Sequence, residues 1–416
     1  MEEEKVKEIL KKIKEENISL HKIEEIFKIS SNDATNIRRL FLENAYNVKL
    51  ENIAHYSIDF DDAVNRNIEN PIGVAQLPLG YAGSIKINGS FAKGSYPVLL
   101  ATTEGKLVAS VSRGISIFNG SGGANTEIVK EGITRDVLIS TSGIKDAIRL
   151  MKLANEDPSI KIIEEAFSES NKYIKLKEVK PFILGKYLHL RFSASTGAAM
   201  GMNMVTIAAK AAVDKFIPYA NSKLGINARL LSESGNMCTD KKPAIINMVE
   251  GRGISVVADG IISKQVLANF GLEAGEIANV NKAKNLLGSA MAGSNGFNAH
   301  VANVLAAMYI AYGQDAAQIV EGTQAITDAQ DVNGDLYISL TMPSIEVGTI
   351  GGGTKRETQN ESLRLMGLYG ENDKEGITKK AFAEVVAGTC LAAELNILIA
   401  QTKLDLSKSH ASIKRG

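Results

Sequence analysis

From residue 136 to residue 232 the hydrophobic period switches in a fixed order, and that order constrains the fold more than any other feature of the chain. Val137-Leu138-Ile139 is a short aliphatic run and reads as a strand. Ile144–Ala154 and Ile160–Phe167 repeat apolar residues at helical spacing. Tyr173–Val179 and Tyr187–Phe192 alternate as strands, with Pro181 and Gly185 between them. Met202–Phe216 is helical again, and Ile226–Leu231 is a last strand. This β-α-β-β-α-β order is the split βαβ arrangement of ferredoxin-like domains. The polar motifs on either side look like parts of one site, so residues 136–232 read as a small domain inserted into a larger one.

The remainder divides around it. Val6, Ile9, Leu10 and Ile13 predict one helix, and Leu20, Ile23, Ile26 and Phe27 a second after Ser19, a residue suited to an N-cap. A third starts near Ser31-Asn32-Asp33. Residues 1–48 thus form an N-terminal helical arm, for packing or dimerisation. Residues 49–135 and 233–395 form the large domain, and residues 396–416 a C-terminal tail. Residues 297–320 predict a long helix, apolar almost all round, at the centre of the large domain. Asn333-Gly334 predicts a hairpin turn. The fold class is α+β.

Lys+Arg and Asp+Glu both total 47. Net charge therefore gives no reason to expect nucleic acid or an anionic membrane as partner, and any anion site must be local. The two cysteines, Cys238 and Cys390, cannot build a disulfide framework, which favours a reducing compartment and a cytoplasmic location. No charge-free run of 18 apolar residues predicts a membrane span, and the charged N-terminus predicts no signal peptide. The five histidines lack metal-ligand spacing, so no metal is expected.

The chemistry concentrates in Ser234-Gly235-Asn236-Met237-Cys238-Thr239-Asp240-Lys241-Lys242-Pro243. A bare Asp-Lys-Lys is most often a solvated turn. Here hydrogen-bonding Ser234, Asn236 and Thr239 accompany it and an apolar run follows. Two adjacent ammonium groups suit a substrate that carries negative charge, or a carbonyl oxygen that becomes negative in the transition state. Thr102-Thr103-Glu104-Gly105 leads into Leu107–Ser110. An acid packed beside an apolar strand would keep its proton to a higher pH and could donate it. Asp315, near the end of the apolar 297–320 helix, needs a partner, and a lysine is the obvious one. Ser409-His410 lies on a polar tail, where a proton donor can be brought over a site and withdrawn. Met200-Gly201-Met202-Asn203-Met204 opens a helix. It can offer N–H groups to a phosphate, or it can be a Met-rich core segment. Cys238 is flanked by no histidine and reads as packing.

Together these segments resemble hydroxymethylglutaryl-CoA (HMG-CoA) reductase, class I, of the soluble archaeal type. The matching stretches are Glu69–Gly73, Thr102–Ser110, Met200–Met204, Cys238–Pro243, Asn298–His300, Gly313–Asp315, Gly348–Gly353 and Ser409-His410, in the family's order. The resemblance implies reduction of HMG-CoA to mevalonate and free CoA with two NADPH. It gives Lys241 the oxyanion, Glu104 proton donation, Asp315 a place between them, and His410 protonation of the CoA thiolate. It places Arg135, Ser234, Asn236, Asp240 and Lys242 near the HMG carboxylate, Ser110, Arg113 and Lys284 near CoA, and Asn303 near the lysine. Met200, Gly201, Met202, Asn203 and Gly351, Gly352, Gly353 fall to the cofactor. Lys172 stands where the family has an arginine for the NADP 2′-phosphate, and Ala198 where it has a carboxylate. The resemblance also implies a cis peptide between Cys238 and Thr239, and a dimer whose active sites lie across the subunit interface. Two alternatives remain: another acyl-CoA-dependent oxidoreductase, or a non-catalytic CoA-ester-binding relative.

Overall fold

A computed structural model describes residues 1–404 of the chain. Its centre is a 17-residue strand, β3 (Ala124–Ser140), that serves two layers. Residues 124–132 of β3 pair in parallel with β1 (Leu79–Gly89) and antiparallel with β7 (Arg252–Ile262). With β2 (Lys93–Ala101), β8 (Ile326–Val332) and β9 (Asp335–Ile345) they give the order β2-β1-β3-β7-β9-β8. From Ile133 onward, β3 pairs antiparallel with β5 (Tyr187–Ser195), and from Leu138 with β6 (Arg229–Ser232), while β4 (Lys175–Leu184) pairs with β5. The small layer is therefore β4-β5-β3-β6, the order expected of the split βαβ arrangement. Helices Ile144–Ala154, Asp157–Glu169 and Met202–Leu224 complete it. Phe167 and Phe192 stack in its core with ring centroids 5.8 Å apart.

The large layer closes on helix Ile377–Thr402, which is long and apolar enough to cross a membrane but has 94% of its apolar window buried inside the protein. Its charged residues are all partnered. Lys379 pairs with Glu131 at 3.1 Å. Glu384 accepts the consecutive N–H groups of Ser90, Phe91 and Ala92. Glu394 accepts those of Ala299 and His300, both at 2.8 Å. Helix Leu107–Gly120 packs so closely on it that a Cβ on Gly114 would lie 1.9 Å from the Ala392 carbonyl oxygen, which only glycine permits.

Three local expectations are corrected. The long helix predicted over 297–320 spans only Val301–Ala311, and the long central helix is Ile377–Thr402. Gly313, at φ +67°, turns the chain out of the first helix, and Asp315 then caps a single 3₁₀ turn. The segment after Glu104 is helix rather than strand, because Leu107, Val111, Ile115 and Phe118 bury one face at helical spacing. The central helix also takes in residues 396–402, assigned above to the tail. The Asn333-Gly334 hairpin joins β8 to β9 with both residues at positive φ. In the arm, helices Glu3–Glu15, Ile23–Phe27 and Ser31–Tyr46 bury Ile9, Ile13, Ile23, Ala34 and Ile37 together.

Candidate active site

The loop that leaves β6 carries the site. Three of its non-glycine residues sit at positive φ: Asn236 at 67°, Thr239 at 60° and Lys241 at 60°. Left-handed backbone costs an L-residue about 1–2 kcal/mol, and most for a β-branched one such as Thr239. The surroundings hold it there. Asp136 accepts the Met237 N–H at 3.0 Å, Arg191 donates to the Met237 carbonyl at 2.9 Å, and Thr134 donates to the Cys238 carbonyl at 2.9 Å. Gln324 bonds both the N–H and the C=O of Ala244. Every peptide bond among the described residues is trans, so the cis bond expected at Cys238–Thr239 is absent; positive φ at Thr239 turns the chain instead.

On this frame Lys241 Nζ lies 3.0 Å from Asp315 Oδ2, both side chains being partly exposed. Asp240 sits deeper. Burial alone would raise its carboxyl, but the Gln318 hydrogen bond with Arg252, Arg135 and Lys241 outweighs burial and lowers it. Arg135 is buried. It donates to Thr206 Oγ1 and Ser234 Oγ, each at 2.9 Å, and lies 3.9 Å from Asp240. Lys242 Nζ donates to the Asp240 carbonyl, two residues back, at 3.1 Å, and like Ser234 and Asn236 it is exposed. Arg135, Ser234, Asp240, Lys241 and Asp315 therefore share one connected patch.

Glu104 belongs to a second patch. It is exposed, and its Oε1 accepts from Asn303 Nδ2 at 3.1 Å in the first turn of helix Val301–Ala311. Lys284 lies in the π-helical turn Asn281–Gly288. Burial lowers its ammonium, and Glu394, which binds the start of the Val301–Ala311 helix, opposes that shift. Ser110 accepts from Asn396 at 2.8 Å, and Arg113 is exposed on the same helix as Ser110. Among the described residues no ion pair joins Glu104 to Lys241. His410 lies outside them.

A cleft of about 360 Å³ opens against the turn that leads into helix Met202–Leu224. Gly197, Ala198, Ala199 and Met204 line one wall, with Tyr173, Ile350 and residues 370–374. Lys172 stands at its edge, its ammonium 5.2 Å from the centre of the Tyr173 ring. Gly201 caps helix Met202–Leu224 at φ +89°, and Asn203 is exposed. Met202 is buried, its sulfur 3.0 Å from Arg252 Nη2, and Met200 faces Glu131 and Lys379, so neither lines the cleft. The Gly348–Gly353 stretch links the cleft to the turn that carries Asp315. Thr349 N–H donates to Ala198 O at 2.8 Å, and Gly348 N–H to Gln314 Oε1 at 2.8 Å. A Cβ on Gly353 would lie 2.6 Å from Gly313 O, while Gly351 and Gly352 face open space.

Sequence reasoning missed Arg252, Glu321 and Glu346, a cluster with fully buried side chains under Asp240. The available signal was Glu346 inside the apolar run Ile345–Val347: a charge in such a run needs a buried partner.

The chain has well-defined relatives. The family model described as hydroxymethylglutaryl-coenzyme A reductase matches residues 34–415. The 3-hydroxy-3-methylglutaryl-coenzyme A reductase of Pyrococcus abyssi is 45% identical over 99% of this chain and 100% of its own length. That of Methanocaldococcus jannaschii is 42% identical over 99% and 100%. A class II reductase from Streptococcus pneumoniae, solved bound to NADPH, shares the fold with a TM-score of 0.60 at 16% identity, over 92% of this chain and 100% of that one. The chain belongs to the hydroxymethylglutaryl-coenzyme A reductase family.

Proposed function

We infer that the chain reduces HMG-CoA to mevalonate and free CoA, consuming two NADPH and two protons. The observation that carries this reading is the Lys241–Asp315 pair at 3.0 Å, set beside the buried guanidinium of Arg135. An ammonium aimed by a carboxylate meets the oxygen that becomes negative as the thioester, and then the aldehyde, is reduced. Arg135, Ser234 and Lys242 offer donors to a free carboxylate, as HMG requires. Glu104, oriented by Asn303, supplies the proton to the alkoxide. His410, assigned from the sequence alone, protonates the departing thiolate.

NADPH fits the cleft beside Ala198: its volume suits part of a dinucleotide, its glycine wall admits close approach, and Lys172 at the rim answers a 2′-phosphate. NADPH supplies the hydride. Lys172 and the main chain of Gly197–Ala199 hold it, and the inserted domain of residues 136–232 is thus the NADP-binding unit.

We also propose that two protomers complete each site. The Glu104–Asn303 and Lys241–Asp315 patches lie at opposite ends of helix Val301–Ala311, whose rise from Asn303 to Ala311 is about 12 Å. Ile245 and Val249, just past the lysine loop, are 69% and 79% exposed and favour an apolar partner surface. A cytoplasmic location accords with the two buried free cysteines. The decisive assay is loss of NADPH absorbance on adding HMG-CoA, with mevalonate and CoA quantified. NADPH oxidation without both products would sink the reading.

A further inference from the structure

Beneath the Asp240–Lys241 turn lies a closed ionic cluster. The Arg252 side chain, wholly buried, lies 3.0 Å from Glu321 Oε1 and 3.4 Å from Glu346 Oε1, both on buried side chains. It also donates to Gln318 Oε1 at 2.6 Å and to Asp240 Oδ1 at 3.0 Å. Such a cluster is weak evidence for stability, because desolvation offsets much of the attraction. Its geometry has another use. Glu321 Oε1, already fixed by Arg252, also accepts the main-chain N–H of Lys241. Lys241 is one of the residues at positive φ, and an exposed lysine has no steric reason to stay there. The left-handed state is disfavoured for an L-residue, and a hydrogen bond to a fixed, buried acceptor offsets a penalty of that size. The Glu321 oxygen is thus a strong enough acceptor to decide the conformation. Rotation of Lys241 into the ordinary right-handed or extended region would swing its Cβ, and with it the ammonium, away from Asp315.

We propose that Glu321 is a positioning residue for the reaction: anchored by Arg252, it clamps the Lys241 main chain in the left-handed conformation that aims the ammonium at Asp315 and the substrate. Glu321 touches neither substrate nor cofactor in this scheme and acts only through Lys241. The inference rests on the reading of Lys241 as the oxyanion partner. Burial raises the Glu321 carboxyl overall, and the Arg252 guanidinium and the Lys241 amide oppose that shift without outweighing it.

Two conservative variants separate acceptor from charge. Glu321→Asp keeps the charge but withdraws the oxygen by one methylene. Glu321→Gln keeps an oxygen at that place, and its amide NH₂ displaces no contact, because Glu321 Oε2 has no hydrogen-bond partner. Steady-state reduction of HMG-CoA by NADPH and hydrogen exchange of the 239–242 amides are measured on both, with circular dichroism and Tm as controls. In Glu321→Asp we expect kcat down by about tenfold or more, KM for HMG-CoA within about threefold, and faster exchange of the Lys241 amide. Glu321→Gln should recover kcat to within about threefold of wild type, with the amide protected. A folded Glu321→Asp with kcat near wild type, or a Glu321→Gln as impaired as Glu321→Asp, overturns the proposal. Should Glu321→Asp fail to fold, Glu321→Gln decides alone: a tenfold loss refutes, and recovery with a protected amide supports. A wild-type chain that does not reduce HMG-CoA would refute the functional reading instead, while the exchange pattern would still judge the clamp.

Discussion

Replacing Lys241 by alanine separates catalysis from folding, and the magnitudes decide how cleanly. The Lys241 and Asp315 side chains are 46% and 35% exposed, so water screens their 3.0 Å pair. Exposed pairs contribute about 0–1 kcal/mol to stability. In a chain of this size that is a Tm change of about 2 °C or less. Alanine at φ +60° carries the same backbone strain as lysine, so the loop's conformational cost is unchanged. The deserted Asp315 stays partly exposed and can be solvated. Catalysis is different, because the developing oxyanion would lose the ammonium that Asp315 holds beside it. Loss of one such contact raises the barrier by about 3–4 kcal/mol, or about 10²–10³ in kcat. The assay is NADPH oxidation with saturating HMG-CoA, alongside thermal unfolding of the same preparation. Turnover near wild type in a folded Lys241→Ala protein would refute the role given to Lys241. A rate loss matched by a large fall in Tm would show instead that the exposed pair holds the fold together.

Four further outcomes are expected. Glu250, at the end of the helix after the lysine loop, is lowered to about 2 by Lys180 first and Lys130 second. Its stabilisation is therefore full above the unfolded value near 4.5 and lost as pH falls toward 2. The difference in urea midpoint between wild type and Glu250→Gln should hold from neutrality to about pH 5 and close below it; a difference still intact at pH 3 would contradict this. Lys172→Glu should raise KM for NADPH by about tenfold or more and leave NADH nearly unchanged, since only the former carries the 2′-phosphate; equal responses would remove Lys172 from the phosphate site. His410→Gln should impair reduction of HMG-CoA more than of free mevaldehyde, because only the first releases a thiolate, and equal losses would end that assignment. Light scattering at assay concentration should give a dimer or larger assembly, and an active monomer would show that one chain suffices.

Much of the site was legible because its chemistry is local in sequence. Asp240, Lys241 and Lys242 are neighbours on one loop, and the need of Asp315 for a lysine followed from its place after an apolar helix. The small domain was legible because its strands and helices each bury one face, so the period survives in the sequence. The helix Ile377–Thr402 carries apolar residues on all sides, so no stripe marks it. Its Glu384 and Glu394 become tolerable only when main-chain N–H groups from residues 90–92 and 299–300 reach them. Likewise, a glutamate at 321 says nothing until folding brings it against Arg252 and the Lys241 amide, 80 residues away in the chain.

The sequence by itself therefore determined the candidate reacting groups and the order of the small layer, since both depend on residues close along the chain. Only the tertiary structure decided which groups meet. It set Lys241 against Asp315 and Glu104 against Asn303 at opposite ends of one helix, chose trans bonds with positive φ for the lysine loop, and buried a guanidinium beneath it. Those outcomes depend on desolvation and on partners distant in sequence, which a local pattern can call for but cannot identify.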